Sequence, residues 1–182
     1  MGDSQEFLII SFSSAKTPIQ ERWRHNSISA DFLANYWGTF FPAHSTAPNQ
    51  HAEVKDAVNF IANELLENAI KFNYYPSGFS MSISLYMSHE ALRFYVTNSI
   101  AQDNLLIFQN VIHELLAENP QELYIRRLER NADEESGKDS GLGFLTMLND
   151  YNARLAWRFE TVQTRPEVTL VTTMVQLPIV RA

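Results

Sequence analysis

The pattern of periodicities along the chain predicts an α/β fold of the α+β kind: a two-layer sandwich with a largely antiparallel sheet and helices packed on one face. Three observations predict it. Segments of period two come as neighbouring pairs, segments of period three to four come in runs between those pairs, and one long amphipathic helix precedes the first pair. The composition agrees. With 182 residues, 45% apolar, 19% charged and 12% aromatic, the chain fills one domain's core and is unlike disordered or low-complexity sequence.

Glu6 to Ser13 reads as a strand carrying Leu8, Ile9, Ile10 and Phe12, followed by a connection with Pro18, Arg22, Trp23 and Arg24. Ser29 to Phe41 reads as a helix with Ser29 as its N-cap, Phe32, Leu33, Tyr36, Trp37 and Phe40 as its apolar face, and Pro42 as its stop. Pro42 to Gln50 reads as a loop. From about His51 to Phe72, apolar residues at Val54, Ala57, Val58, Ile61, Leu65, Ala69 and Phe72 predict the long central helix. After Gly78 the period becomes two: Phe79, Met81, Ile83, Leu85 and Met87 alternate with polar residues. A turn at His89-Glu90 then leads to a strand with Leu92, Phe94 and Val96, completing a hairpin. Helices follow over about 104–118 and 121–131, split at Asn119-Pro120. A polar stretch from Asp133 to Ser140 leads to a helix starting at Gly141. Two final strands, Arg154–Val162 and Val168–Leu177, flank a turn at 164–167. The expected organisation is one domain over 1–182, with an N-terminal strand and helix extension (1–50) before the core (51–177).

Charge and composition close off several functions. Fourteen Lys and Arg against twenty-one Asp and Glu give a net charge of −7, which repels a phosphate backbone unless some patch reverses it, so no nucleic-acid partner is expected. The acidic start Met1–Glu6 is unlike a secretory leader, and no apolar run approaches the ~20 residues that span a bilayer, so no membrane association is expected. The absence of cysteine rules out thiolate catalysis and fits a cytoplasmic setting. The five histidines have no metal-ligand spacing, and neither a phosphate loop of the Gly-Lys-Ser/Thr type nor a nucleophile elbow is present.

Two segments are candidates for chemistry. In the central helix, Glu64, Asn68 and Lys71 fall within a stripe of about 60° beside the apolar face, at about 100° per residue. A carboxylate there can act as a base, an amide oxygen can hold Mg²⁺, and an ammonium can neutralise phosphate. The same spacing also serves an ordinary solvated Glu–Lys helix face. In the second segment, three of the six glycines, Gly137, Gly141 and Gly143, are concentrated before a predicted helix. Glycine lets the backbone approach an anion and free helix-start amides favour phosphate, although a flexible loop with a tight helix entry has the same signature.

Together, Glu64-Leu65-Leu66-Glu67-Asn68-Ala69-Ile70-Lys71 and Ser140-Gly141-Leu142-Gly143-Phe144 resemble the N box and the second glycine box of the GHKL (histidine-kinase-like) ATPase superfamily. In size the chain is most similar to that superfamily's freestanding anti-sigma-factor serine kinases and SiaB-type kinases. The resemblance implies a Bergerat-type mixed sheet, with ATP and Mg²⁺ between the central helix and a lid. It implies Glu64 as catalytic base and Asn68 as Mg²⁺ ligand. Lys71, Ser140, Gly141, Leu142, Gly143 and Asn98 would make up the rest of the ATP site. It further implies a regulator with Ser/Thr kinase capacity towards a small STAS-like or SiaC-like partner protein. Two departures support an alternative, a degenerate fold that binds a partner without using nucleotide. The first glycine box, Asp-x-Gly-x-Gly, is replaced by Asn98-Ser99-Ile100-Ala101-Gln102, and Asp139 replaces the first glycine of the second box. A third reading is a homodimer built through the N-terminal strand or through Trp23 and Trp37.

Overall fold

The computed structural model describes residues 6–13, 19–40, 48–88, 90–133, 141–164 and 167–179. Ten elements follow one another: β1 (Glu6–Phe12), α1 (Ile19–Gly38), α2 (Pro48–Phe72), β2 (Met81–Met87), β3 (Ala91–Ile100), α3 (Gln102–Ala117), α4 (Pro120–Asp133), α5 (Leu142–Asn149), β4 (Arg154–Thr164) and β5 (Glu167–Pro178). The strands form one five-stranded sheet in the order β1-β2-β3-β5-β4, and every pairing is antiparallel.

Strand alternation decides which face is covered. Ile83 and Leu85 of β2, Phe94 and Val96 of β3, and Val175 and Leu177 of β5 point to the helical layer and are buried. At about 1.5–3 kcal/mol for each such side chain, burial on this face is the main term holding the sheet to the helices. The opposite face is crossed by three rows in register. Arg154, Gln176, Arg93, Tyr86 and Phe7 form one, and Arg158, Thr172, Thr97, Ser82 and Ser11 form another. Ala156, Met174, Tyr95, Ser84 and Ile9 lie between them.

Helix α2 carries the periodicity expected of it. Ala57, Val58, Ile61, Ala62, Leu65, Leu66, Ala69 and Ile70 are buried, whereas Asn59, Asn63, Glu64, Glu67 and Asn68 form a half-buried rim. Its end is tied to β3. Asn73 bridges to Ile100, Tyr74 N donates to Ser99 O at 2.9 Å, and the buried Ser99 hydroxyl lies 3.0 Å from Asn73 Oδ1 and 2.8 Å from Ser77 Oγ. This anchorage sets the Asn68 turn of α2 over the last residues of β3.

The largest difference from the sequence reading is α1, which starts at Ile19, ten residues before the expected N-cap. Ser29 is no cap: its hydroxyl donates to His25 O at 2.7 Å, the local back-bond open to a serine inside a helix. Residues 22–24 therefore lie in α1, not in a connection, and α2 begins at Pro48, within the expected loop; proline suits a first helical turn. Trp37 is fully buried, within reach of the Tyr36 and Phe40 rings, so it is a core residue and offers no dimer contact. Elsewhere boundaries shift by a few residues. Asn119 caps α4, its side-chain oxygen accepting from Gln121 N at 2.9 Å and Glu122 N at 3.3 Å, with Pro120 at the first helical position. Among the described residues, no helix is long and apolar enough to cross a membrane.

Candidate functional site

Three of the sequence-predicted residues, Glu64, Gly141 and Gly143, meet where α5 begins. Gly141 has φ +50, the left-handed region that glycine adopts without strain. Its carbonyl accepts from Arg127 Nη1 of α4 at 2.9 Å, and a methyl group built on Gly141 would overlap that guanidinium. The nearly buried Arg127 is in turn paired with Glu114 of α3 at 2.5 Å. The Arg127 guanidinium beside Glu114, with Arg126 as a second partner, holds that carboxyl below the usual carboxylate range. A chain of contacts from α3 through α4 thus fixes the turn into α5, whose N-cap position is a glycine with no side chain to cap its amides.

Gly143, the second residue of α5, lies directly against Glu64. A methyl group there would overlap the Glu64 carboxylate and sit 2.9 Å from Cδ. The two segments singled out in the sequence, sixty-odd residues apart, are therefore in contact. The anion standing beside the first turn of α5 is the chain's own carboxylate. Burial, and secondarily the neighbouring Glu67, raises the Glu64 pKa above the ordinary carboxylate value.

Two hollows lie against α2. On one side, Glu64 and Glu67 open onto a polar hollow of about 430 Å³, shared with Asp56, Asn59 and Asn63 of α2 and with Ser27 of α1. Asn63 Nδ2 donates to Asn59 Oδ1 at 2.9 Å, and Asn59 Nδ2 to Asp31 Oδ1 at 2.5 Å, so the amides here link α2 to α1. On the other side, Asn68, Asn98 and Thr173 line a cavity whose remaining walls are apolar, among them Phe72, Phe108 and Phe144. That cavity measures about 20 Å³, room for roughly one water. Phe144 is buried, with its ring edge-on to Trp157 at 5.7 Å, and Phe72 stacks on Phe108 at 6.2 Å.

Asn98 faces inward and is buried, its Nδ2 donating to Ser99 O at 3.0 Å. Residues 98–100 stay in the β3–β5 ladder, opposite Val171, Leu170 and Thr169. With Ser and the β-branched Ile where the GHKL pattern has glycines, the backbone continues as strand and leaves no loop for a base to approach. Lys71, near the end of α2, lines neither hollow; its ammonium lies 5.3 Å from the centroid of the Phe72 ring. Leu142 is half-buried against the core. Ser140 lies outside the described residues, as does most of the preceding polar stretch. Glu64, Gly141 and Gly143 are brought together, then, while Asn68 and Asn98 share a separate cavity. Sequence reasoning singles out neither Arg127 nor Glu114, and it names Phe144 only as the last residue of the second segment, with no role of its own.

The fit of ATP can be tested on this geometry. The Asn68 cavity does not hold a purine, which is many times the volume of one water. Among the described residues, no three His, Cys, Asp or Glu side chains converge to hold a metal ion.

No protein-family model and no curated protein matches the chain. Among solved structures, a chain of the SiaB-SiaC complex from Pseudomonas aeruginosa matches with a TM-score of 0.55 over 94% of this chain and 89% of that one, at 13% sequence identity. At that identity the likeness is one of fold, and it extends over nearly the whole of both chains.

Proposed function

We propose that this chain is a regulatory protein whose function is to bind a small partner protein, with the cleft between α2 and α5 closed to nucleotide. The observation that carries this reading is the room at Asn68, Asn98 and Thr173: about one water, with Phe144 among the side chains that wall it. The strand-like course of residues 98–100 supports it, as does the fold likeness to a chain solved as part of a two-protein complex. A SiaC-like or STAS-like protein is the partner class the reading names. An acidic chain without cysteine suits a cytoplasmic setting.

The test is co-purification of the tagged full chain from its own cells in nucleotide-free buffer with a chelator, followed by reconstitution from the two purified proteins. A stable complex is expected without nucleotide, unchanged by Glu64→Ala or Asn68→Ala. A complex that requires Mg²⁺ and ATP, one that Asn68→Ala disrupts, or none under any condition would overturn the reading.

One observation favours a second reading, an ATP-dependent serine/threonine kinase. Glu64 is a half-buried carboxyl with a raised pKa, placed against a turn whose N-cap position is a glycine, as suits a general base beside an anion site. That reading requires the side chains that wall the Asn68 cavity to move. Phosphate transfer to the reconstituted partner, abolished by Glu64→Ala, would establish it.

A further inference from the structure

The outer face of the sheet carries a charge pattern opposite to that of the chain. Along it lie Arg93, Arg154 and Arg158 and, in the row beyond Arg158, one acid, Glu160. With Glu160 counted, the face carries +2 of a net charge of −7, which leaves −9 on the rest of the molecule. Beside the arginines runs an aromatic file: Phe7 stacks on Tyr86 at 5.6 Å, and Tyr86 meets Tyr95 edge-on at 5.6 Å. Phe7 is 57% exposed and its neighbour Ile9 52%, large apolar side chains left in water on an edge strand. Between the two groups lies a hollow of about 720 Å³ whose lining comes entirely from β2, β3, β4 and β5. Arg93 is pre-set by its Nε bond to Gln176 Oε1 at 3.0 Å, and Arg158 already pairs with an acid, Glu160, at 2.7 Å.

We propose that this face is a docking surface for an acidic segment of a partner protein, its carboxylates paired with Arg93, Arg154 and Arg158 and its apolar side chains laid on Phe7, Tyr86 and Tyr95. The proposal rests on the partner-binding reading and names the chemistry of what is bound. Charge complementarity selects the occupant. A basic or neutral segment gains nothing from three guanidiniums that share one acid, Glu160, whereas carboxylates match their fork geometry. A single-stranded nucleic acid also pairs arginine with aromatic rings, but its unbroken line of phosphates extends past the three arginines over a surface of net charge −9. A short acidic segment meets only the cationic patch.

Selection of a random peptide library displayed on phage against the immobilised full chain tests this without the natural partner. Enriched peptides are expected to combine Asp or Glu with aromatic or aliphatic residues and to bind more weakly as salt is raised. They are expected to lose affinity about ten-fold or more for the Arg154→Glu/Arg158→Glu variant. Arg130→Glu, a reversal on exposed α4, is expected to leave binding within about two-fold, and circular dichroism checks that each variant is folded. Enrichment of basic or neutral peptides, acidic binders indifferent to the sheet variant, no enrichment at all, or tighter binding of oligothymidylate than of any peptide would overturn the proposal. A reconstituted partner that still binds the sheet variant at full strength would refute this face and leave the partner-binding reading intact.

Discussion

The two hollows against α2 differ in opposite ways. On the Glu64 side there is space, about 430 Å³, with carboxylates and amides around it; on the Asn68 side there are three convergent polar groups and space for roughly one water. Glu64 and Asn68 stand a single helical turn apart, about 6 Å along the axis, yet serve separate compartments. The Asn68 hollow is walled by the packed rings of Phe72, Phe108 and Phe144, none of which lines the Glu64 hollow. The lesson is that residue spacing on a helix fixes which side chains are neighbours but not whether a ligand can reach both.

The prediction with the largest effect removes one of those rings. Phe144→Ala deletes a buried side chain packed on Trp157 and is expected to cost about 3–5 kcal/mol in denaturant unfolding. A cost below about 1 kcal/mol would mean that the ring is not seated in the core.

A smaller effect tests the contact between the two sequence segments. Gly143→Ala places a methyl group on the Glu64 carboxylate, and because only the end of a side chain has to move, a loss of about 1 kcal/mol is expected. Combining it with Glu64→Ala is expected to recover most of that loss relative to Glu64→Ala alone, as measured by a double-mutant cycle. Additive losses would place Gly143 and Glu64 apart.

The most modest prediction contrasts two acids. Glu64 has a raised pKa in the folded chain, so its charged form is disfavoured there. Its contribution to stability is fully present below the ordinary carboxylate pKa and declines as pH rises through the folded value. Glu64→Gln is expected to remove that decline and to raise the thermal midpoint at neutral pH relative to wild type. Glu114 is shifted the other way by Arg127, so its contribution is present above the ordinary value and lost as pH falls through the depressed folded one. Glu114→Gln is expected to flatten the acid limb of the stability profile. Thermal unfolding from acid to neutral pH distinguishes the two, and identical profiles for both variants would contradict the account.

Much of the fold was legible because its signals are local. The period-two alternation of Met81–Met87 and the apolar stripe of α2 each state their element and its buried face. The start of α1 was not legible, because serine at position 29 is as compatible with a mid-helix back-bond as with a cap, and only packing decides. At the site, the contact of Gly143 with Glu64 agrees with the order and types of the residues in the two segments. The closure at Asn68 was not visible in the same way, since it depends on where α3 and β5 deliver Phe108, Val171 and Thr173 around Phe144. Likewise the Arg127–Glu114 pair spans two helices joined by a turn, and no periodicity within either helix reveals that it holds Gly141.

The measurement that bears most directly on the closed cleft is a calorimetric titration of Mg²⁺-ATP into the full chain, with the Asn68→Ala variant alongside. The account predicts no saturable heat for either protein up to millimolar nucleotide. Saturable binding to the wild-type chain that Asn68→Ala abolishes would contradict it.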